Sequence, residues 1–506
     1  MKRQKQTAHG DRDQHSGQGR DAQPHDAQSP EQKQERKDRV LTEGASSMAR
    51  DIGDAIVMKD QNIFFLTNPD GNVPLAGQHG LGLYYHDCRF VSGYEMKLAG
   101  IAPTALVSTA AQGFMAVFQM TNPEIRMADE GLIRKDNLGI KWERSINSGK
   151  PVLHDLLEFQ NFGLKPIEFP ISLAFQAGFE DVFAVREMLD ERSGKLRPPQ
   201  WSNGVLTFVY EGADGLYRFV EIHFSPLPES MDETSANFHV TLQPKETKQL
   251  VVSLFIAESP DLGKIPSQAR YQPDLKRIKE ALQEDAAQWL SHHTEIRSDS
   301  LLLNNVMERS LRDLRVLRSE IGNQTFFAAG VPWFVTLFGR DSIVTALQTL
   351  AYEPAIAEQT LRLLASYQGQ KLDPWRDEQP GKILHELRVG ELARLGEIPH
   401  TPHYGTIDAT ILFLILLGRH AAWTGSLVVF NDLRSNIERA LEWMSQCGDQ
   451  NGDGYIEYQS ESEKGLANQG WKDSGDAIVN DDGSLARPPI SLVARRKLVG
   501  SDRRGF

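Results

Sequence analysis

The chain has 506 residues, a formal net charge of −13 and 40% hydrophobic residues. This length and composition are typical of a globular protein with two to three domains. The acidic balance argues against sequence-independent binding of nucleic acid, which depends on surplus lysine and arginine. Cys88 and Cys447 lie too far apart to indicate a disulfide framework, and the N-terminus has no apolar signal core. We therefore expect a cytoplasmic protein with no membrane or nucleic-acid partner.

The first segment, residues 1–47, is rich in Gln, Asp, Lys, Arg and Gly and has no aromatic residue. Such a segment cannot bury enough apolar surface to offset the loss of chain entropy on folding. We predict a disordered polar tail.

Short β-branched or aromatic runs fill residues 48–262, among them "GVLTFVYEG", "YRFVEIHFS" and "QLVVSLFIAES". Turn sequences such as "NPDGN" and "EGADG" separate these runs. Many short strands at this spacing are typical of an antiparallel sandwich. We predict an N-terminal β-sandwich domain over this range.

The pattern changes to three- and four-residue apolar spacing after residue 262, which indicates helices. We predict a helical linker over 263–298 and a helical domain over 299–506. The most apolar run, "ATILFLILLG", is too short to span a bilayer and predicts a buried helix. Long loops rich in Gly, Pro, His and Asp separate the predicted helices, and such loops are usually functional.

One of these loops, "DQNGDGYIEY", resembles the start of a calcium-binding loop. Asp449, Asn451 and Asp453 alternate before a glycine, so that their oxygens could converge on a hard cation. The twelfth position, which needs a bidentate glutamate, is Ser460, although Glu457 or Glu461 could complete a looser cage. The alternative is a polar turn between helices. A structural Ca²⁺ ion is the only cofactor that the sequence indicates, and none is required.

A second loop, "AAGVPWFVTLFGRDS", combines aromatic faces with a guanidinium and a carboxylate. Trp333 could stack on a sugar ring, while Arg340 and Asp341 could bind its hydroxyl groups. In the alternative interpretation Asp341 caps the following helix and Arg340 is structural.

A third loop, "GKILHELRVGELARLGEIPHTPHYGTIDA", is rich in histidine and carboxylates. Its histidines lack the H-E-x-x-H arrangement that places two zinc ligands on one helical face, so we expect no zinc site. The polar side chains that could bind substrate here are Glu386, Arg388, Tyr404 and Asp408.

A fourth loop, "NQGWKDSGDA", places Asp473 two residues after Trp471. An acid beside an aromatic ring can have the raised pKa that a general acid needs. The alternative is a solvated carboxylate in a glycine-rich loop.

Taken in order and spacing, "GVPWFVTLFGRDS", "HELRVGEL", "YGTIDAT", "GDGYIEY" and "NQGWKDS" resemble bacterial glycogen debranching enzymes of the amylo-α-1,6-glucosidase family. "DQNIFFLTNPDGNV" and "GLGLYYHDCRF" resemble the N-terminal β-domain of the same family. The resemblance implies an α+β protein with a β-sandwich followed by an (α/α)6 toroid. It also implies inverting hydrolysis of α-glucosidic bonds, including α-1,6 bonds, in glucans or small α-glucosides.

By the pattern of that family, Asp473 would be the general acid. The residues implied at the sugar subsite are Arg340, Asp341, Tyr404, Asp408 and Trp471.

The end of the sequence departs from the family pattern, because "VARRKLVGSDRRGF" is basic and lacks helical periodicity. Inverting glycosidases need a second carboxylate as general base. We expect a truncated toroid whose base lies beyond Phe506, with Glu386 and Glu391 as the first candidates if the base is already present. The alternatives are a catalytically inactive carbohydrate-binding or remnant protein, and a calcium-regulated structural protein, which Ser460 disfavours. The oligomeric state stays open.

Overall fold

The computed structural model describes residues 52–110, 112–126, 131–188, 193–264, 274–291 and 293–491. The predicted polar tail (1–47) and the basic C-terminal segment therefore lie outside the described residues. Within them, strands dominate as far as Ser259 and helices dominate from Leu275 onward. The predicted α+β order, a sandwich followed by helices, is confirmed.

Strands that are consecutive in the sequence mostly pair with each other, and the pairing is antiparallel. Their bounds are β1 (Ile56–Asp60), β2 (Ile63–Thr67), β3 (Gly82–Tyr85), β4 (Cys88–Val91), β5 (Gly93–Leu98), β6 (Thr104–Thr109), β7 (Met115–Thr121), β8 (Ile125–Arg126), β9 (Leu132–Ile133), β10 (Leu138–Asn147), β11 (Val152–Asn161), β12 (Ile167–Gln176), β13 (Glu180–Asp181), β14 (Lys195–Leu196), β15 (Gln200–Ser202), β16 (Val205–Glu211), β17 (Tyr217–Ser225), β18 (Ser230–Asp232), β19 (Ser235–Leu242), β20 (Thr247–Ser259), β21 (Arg318–Ile321), β22 (Gln324–Phe327), β23 (Leu337–Phe338), β24 (Glu386–Leu387), β25 (Glu457–Tyr458) and β26 (Ile490–Ser491).

Two antiparallel sheets face each other in the N-terminal domain. The larger has the order β14-β16-β17-β20-β11-β10-β7-β6 with β15 on β16, and the smaller has the order β18-β19-β12-β5. Burial alternates strictly along β10, as expected for a strand with one face in the core. Trp142 of β10 meets Tyr94 of β5 edge-on, with ring centroids 5.4 Å apart. Aromatic pairs of this kind fill the space between the sheets.

A third, five-stranded sheet with the order β1-β2-β3-β4-β13 lies next to the sandwich, and its turns reach the helical region. Lys59 of β1 donates to the Arg318 carbonyl at 2.6 Å and to the Ser319 hydroxyl at 2.9 Å. Asp87, in the β3–β4 turn, accepts from the Arg388 guanidinium at 2.8 Å. These buried polar contacts attach the loops of the helical region to the sandwich.

The helical region has its own apolar core, formed mainly by three long helices. The helix Asp408–Thr424, α7 below, is buried on most of its surface, as predicted for its apolar run. No helix among the described residues is long and apolar enough to cross a membrane. The helices are α1 (Val182–Val185), α2 (Leu275–Ser291), α3 (Leu301–Leu317), α4 (Gly339–Thr349), α5 (Pro354–Ser366), α6 (Glu391–Arg394), α7 (Asp408–Thr424), α8 (Val428–Asp432) and α9 (Arg434–Trp443).

The expectation that residues after 262 form helices alone was wrong in three places. The antiparallel pairs β21–β22, β23–β24 and β25–β26 lie within this region. The pair β23–β24 joins Phe338 to Glu386, so that the two long predicted loops run side by side. These short pairs satisfy backbone groups of loops that would otherwise be buried without partners.

Candidate active site

The centre of the candidate site is Arg340, in the first turn of α4. Its Nη2 atom lies 2.6 Å from Asp473 Oδ2, and its Nη1 atom lies 3.2 Å from Asp408 Oδ2. Its Nε atom lies 3.9 Å from Asp341 Oδ2. Four residues predicted from three separate loops therefore meet around one guanidinium.

Helix N-termini place two of these carboxylates. Asp341 lies in the first turn of α4 and Asp408 in the first turn of α7, where the helix dipole favours negative charge. Burial raises the pKa of Asp341, and nearby Arg340 opposes this effect. The N-cap position of this helix is Phe338, so Asp341 lies inside the first turn. Asp341 therefore does not occupy the capping position that the alternative interpretation gave it.

Trp471 and Asp473 form the solvent-facing part of the cluster. The Trp471 side chain is 62% exposed, and the Arg340 guanidinium lies 5.5 Å from its ring centroid. The carbonyl groups of Gly470 and Trp471 also accept from Arg340, at 3.2 and 3.3 Å. The Asp473 side chain is 39% exposed. An aromatic face and a carboxylate are thus both accessible to a ligand.

A residue that the sequence did not single out, Asp377, holds the loop that carries Trp471 and Asp473. Its carboxylate accepts from the backbone N–H of Glu461 at 2.7 Å and from Gln469 Nε2 at 3.1 Å. It also accepts from the Ser460 hydroxyl at 3.1 Å. Ser460, the residue that disfavoured a calcium loop, therefore belongs to this contact. No local motif marks Asp377, because these three partners lie more than 80 residues away in the chain.

His385 lies buried beside the cluster. Burial, together with His403 and Arg340, lowers its pKa to about 4 although Glu386 opposes the shift. The imidazole is therefore neutral at neutral pH, and its buried Nδ1 atom has no hydrogen-bond partner. The sequence placed His385 in a polar loop but assigned it no role.

Four of the predicted substrate-binding residues do not join the cluster. Trp333 is 9% exposed and packs in the sandwich core, where a Cβ at Gly80 would lie 2.7 Å from its ring. A ring in this position cannot stack on a sugar, so the role predicted for Trp333 is corrected to core packing. Tyr404 is also buried, and its hydroxyl donates to the Tyr367 carbonyl at 2.7 Å.

Glu386 and Arg388 form a buried ion pair with each other at the domain seam, the boundary between the sandwich domain and the helical region. Burial alone would raise the pKa of Glu386, but Arg388 and His400 lower it to about 2. Glu391, the other candidate base, accepts from the Tyr210 hydroxyl at 2.7 Å and from a backbone N–H of the sandwich domain. Glu386 is therefore ion-paired and Glu391 hydrogen-bonded at the seam rather than in the Arg340 cluster.

Hydrogen bonds between its own residues hold the turn that was predicted to bind calcium. Asn451 Nδ2 donates to Glu457 Oε1 at 2.6 Å, and Asp453 Oδ1 accepts from the Tyr455 N–H at 2.8 Å. Asp449 Oδ2 accepts from a backbone N–H, while its buried Oδ1 has no hydrogen-bond partner. Among the described residues, no group of three His, Cys, Asp or Glu side chains is placed to hold a metal ion. Calcium at this turn stays a prediction.

The structure is thus an α+β protein with a β-sandwich followed by helices, and carboxylates lie at the N-termini of two of these helices. Residues 58–253 match the family model of the N-terminal domain of some glycogen debranching enzymes. The match covers most of the sandwich domain, and the predicted resemblance of this domain is confirmed. A comparison with curated proteins finds no match to the chain.

Two solved structures are similar to this chain at low sequence identity. The structure named "Putative kojibiose phosphorylase from human microbiome" is 9% identical, with a TM-score of 0.50, and the match covers 78% of this chain. A bacterial glucoamylase solved with acarbose is 10% identical, with a TM-score of 0.49, and the match covers 80% of this chain. The chain spans 55% and 59% of the length of these two structures.

Proposed function

We propose that the protein is a glycoside hydrolase of the debranching type, which hydrolyses α-glucosidic bonds, including α-1,6 bonds, in α-glucans or small α-glucosides with inversion. One observation carries this proposal: three carboxylates and an exposed tryptophan surround Arg340, all at positions that the family pattern implies. The debranching-type sandwich domain supports it.

In this mechanism Asp473 donates a proton to the glycosidic oxygen while the bond to the anomeric carbon breaks. A water molecule attacks that carbon from the opposite face, and a general base takes its proton. Trp471 stacks on the sugar ring, and Arg340, Asp341 and Asp408 bind its hydroxyl groups. The contacts of Glu386 and Glu391 at the seam argue against either residue as the base.

Asp341 is the competing candidate for the acid, because burial raises its pKa and so favours the protonated form. The two assignments differ in the effect of removing each carboxylate. If Asp473 is the acid, Asp473→Asn lowers turnover by about 10²–10⁴-fold and leaves substrate binding nearly unchanged. Asp341→Asn then raises the KM instead, because it removes a contact to the sugar.

The test measures release of reducing sugar from a branched maltooligosaccharide by the wild type and both variants, with and without inorganic phosphate. Near-normal turnover by Asp473→Asn would remove this residue from the mechanism. Product formation that requires phosphate would show a phosphorylase rather than a hydrolase.

The second candidate function is carbohydrate binding without catalysis. The contacts that Glu386 and Glu391, the two candidate bases, make at the domain seam favour this function. Calorimetric binding of the oligosaccharide with no product over long incubation would support this function and contradict hydrolysis.

A further inference from the structure

A second cleft, of about 460 Å³, lies at the seam between the sandwich domain and the helical region. Its walls come from the β1–β2 turn, the β3–β4 turn, the β21–β22 hairpin and the segment before β23. No residue of the Arg340 cluster lines it. Its volume lies within the range of about 300–1,000 Å³ that is usual for ligand sites, which often lie between domains.

The walls of this seam cleft combine aromatic rings with side-chain hydrogen-bonding groups. Tyr85 contributes a partly exposed ring, Phe64 and Phe326 contribute ring edges from the buried core, and Gln61 and Glu320 contribute polar groups. Gln61 Oε1 is buried and has no hydrogen-bond partner. A buried acceptor of this kind is costly unless a donor reaches it. A ligand hydroxyl group would supply that donor.

The charges around the seam cleft favour a neutral ligand. His86 is held by Glu258 at 3.0 Å, and Asp87 is held by Arg388. Arg394 contacts the Glu258 carboxylate at 3.8 Å, so its charge is also compensated. The exposed Glu320 leaves the rim slightly acidic, which disfavours phosphate or carboxylate ligands. Aromatic faces with neutral polar groups suit a sugar.

The wall formed by the β3–β4 turn is rigid. His86 and Asp87 occupy the two central positions with φ of 49° and 62°, where asparagine and glycine are usual. Side-chain contacts keep them there: Asp87 accepts from the Val389 N–H at 2.9 Å as well as from Arg388. Both domains therefore hold this wall in place before any ligand arrives, which lowers the entropic cost of binding.

We propose that the seam cleft is a second carbohydrate-binding site, which takes a stretch of α-glucan apart from the chain bound at the Arg340 cluster. The choice of α-glucan as the ligand rests on the proposed function. Tyr85, which is only partly buried, provides the apolar surface for a sugar ring, and Gln61 accepts from a hydroxyl group.

The test uses the full chain and maltohexaose as the probe. Ser148 lines the cleft, and Ser148→Cys allows a bulky maleimide to fill it. Cys88 is buried and Cys447 is partly buried, so wild type treated with the same reagent is the control. Calorimetry should show two maltohexaose sites per chain before alkylation of the variant and one afterwards. Hydrolysis of a short α-glucoside should stay unchanged.

A second, smaller change, Gln61→Asn, tests the role of the unpaired acceptor Gln61 Oε1. Gln61→Asn keeps the left-handed backbone, φ 48°, which asparagine tolerates, but withdraws the amide from the cleft. Affinity at the second site should fall about tenfold, as for the loss of one buried hydrogen bond. Gln249→Asn, an exposed change on β20, is the matched control and should have no effect.

The outcomes separate this inference from the proposed function. Undiminished maltohexaose stoichiometry after alkylation, or a single site in the unmodified protein, would overturn the seam site while leaving hydrolysis intact. Loss of one site on alkylation, with no hydrolysis by any form of the protein, would support the seam site and reject the catalytic proposal.

Discussion

Arg340 and Asp473, 133 residues apart in the chain, form an ion pair with Nη2 and Oδ2 2.6 Å apart. The same guanidinium contacts Asp408 and lies close to Asp341. The helix that begins at Gly339 presents Arg340 from one side, and the loop after Gln469 presents Asp473 from the other. The contact therefore depends on the correct placement of this loop, and several predictions concern it.

Trp471→Ala should weaken binding of maltooligosaccharides about fivefold, because it removes the exposed aromatic face beside Arg340. The melting temperature should not change, since the side chain is 62% exposed. Trp423→Ala is the matched control, because Trp423 is 60% exposed and lies near the end of α7. Equal affinities of the two variants, measured by calorimetry, would contradict a role for Trp471 in binding.

Asp377→Asn should loosen the loop that carries Asp473 and lower turnover at least tenfold while raising the KM less. Its carboxylate accepts from the Glu461 N–H, the Gln469 amide and the Ser460 hydroxyl. Hydrogen bonds to a charged group contribute about 1.5–3 kcal/mol each. Limited proteolysis should show faster cleavage between residues 460 and 475 than in wild type. Unchanged cleavage with reduced turnover would instead assign Asp377 a role other than positioning.

Arg388→Met should lower the free energy of unfolding by about 3–5 kcal/mol, because it leaves Asp87 and Glu386 buried without their cation. Urea denaturation measures this change. Arg297→Met removes an exposed ion pair with Glu295 and should have no measurable effect. A similar result for both variants would show that the buried pair does not stabilise the domain seam.

Stability should fall as the pH falls below about 6.5, the unfolded pKa of histidine. Burial lowers the pKa of His400 to about 3 and of His385 to about 4 in the folded protein. The unfolded chain therefore binds protons in this window while the folded chain does not. Each histidine contributes up to about 1.4 kcal/mol per pH unit to the slope.

Urea denaturation at about pH 7.5 and at about pH 5 measures this slope. His400→Leu should make it shallower, whereas His239→Gln, on the exposed face of β19, should not. An equal slope in all three proteins would contradict the assignment of the acid lability to the buried imidazoles.

Local periodicity was sufficient to predict the order of strands and helices and the buried helix α7. Alternating burial and three- to four-residue spacing act over a few neighbours, so they can be read without knowledge of distant contacts. The family resemblance, not periodicity, implied Arg340, Asp341, Asp408, Trp471 and Asp473, and these residues do meet in one cluster. Tyr404, implied by the same pattern, does not join them.

Tertiary structure alone decided which aromatic and acidic residues face that cluster. Trp333 and Trp471 both lie in segments predicted to be loops, yet one is packed in the sandwich core and the other is exposed beside Arg340. Glu386 and Glu391 lie in a polar loop, but pairing with Arg388 and Tyr210 turns both toward the seam. Asp377 acquires its role only when the loop at 460–469 folds onto it. Burial and pairing of a side chain depend on segments far away in the chain, so these partners cannot be predicted from the local sequence.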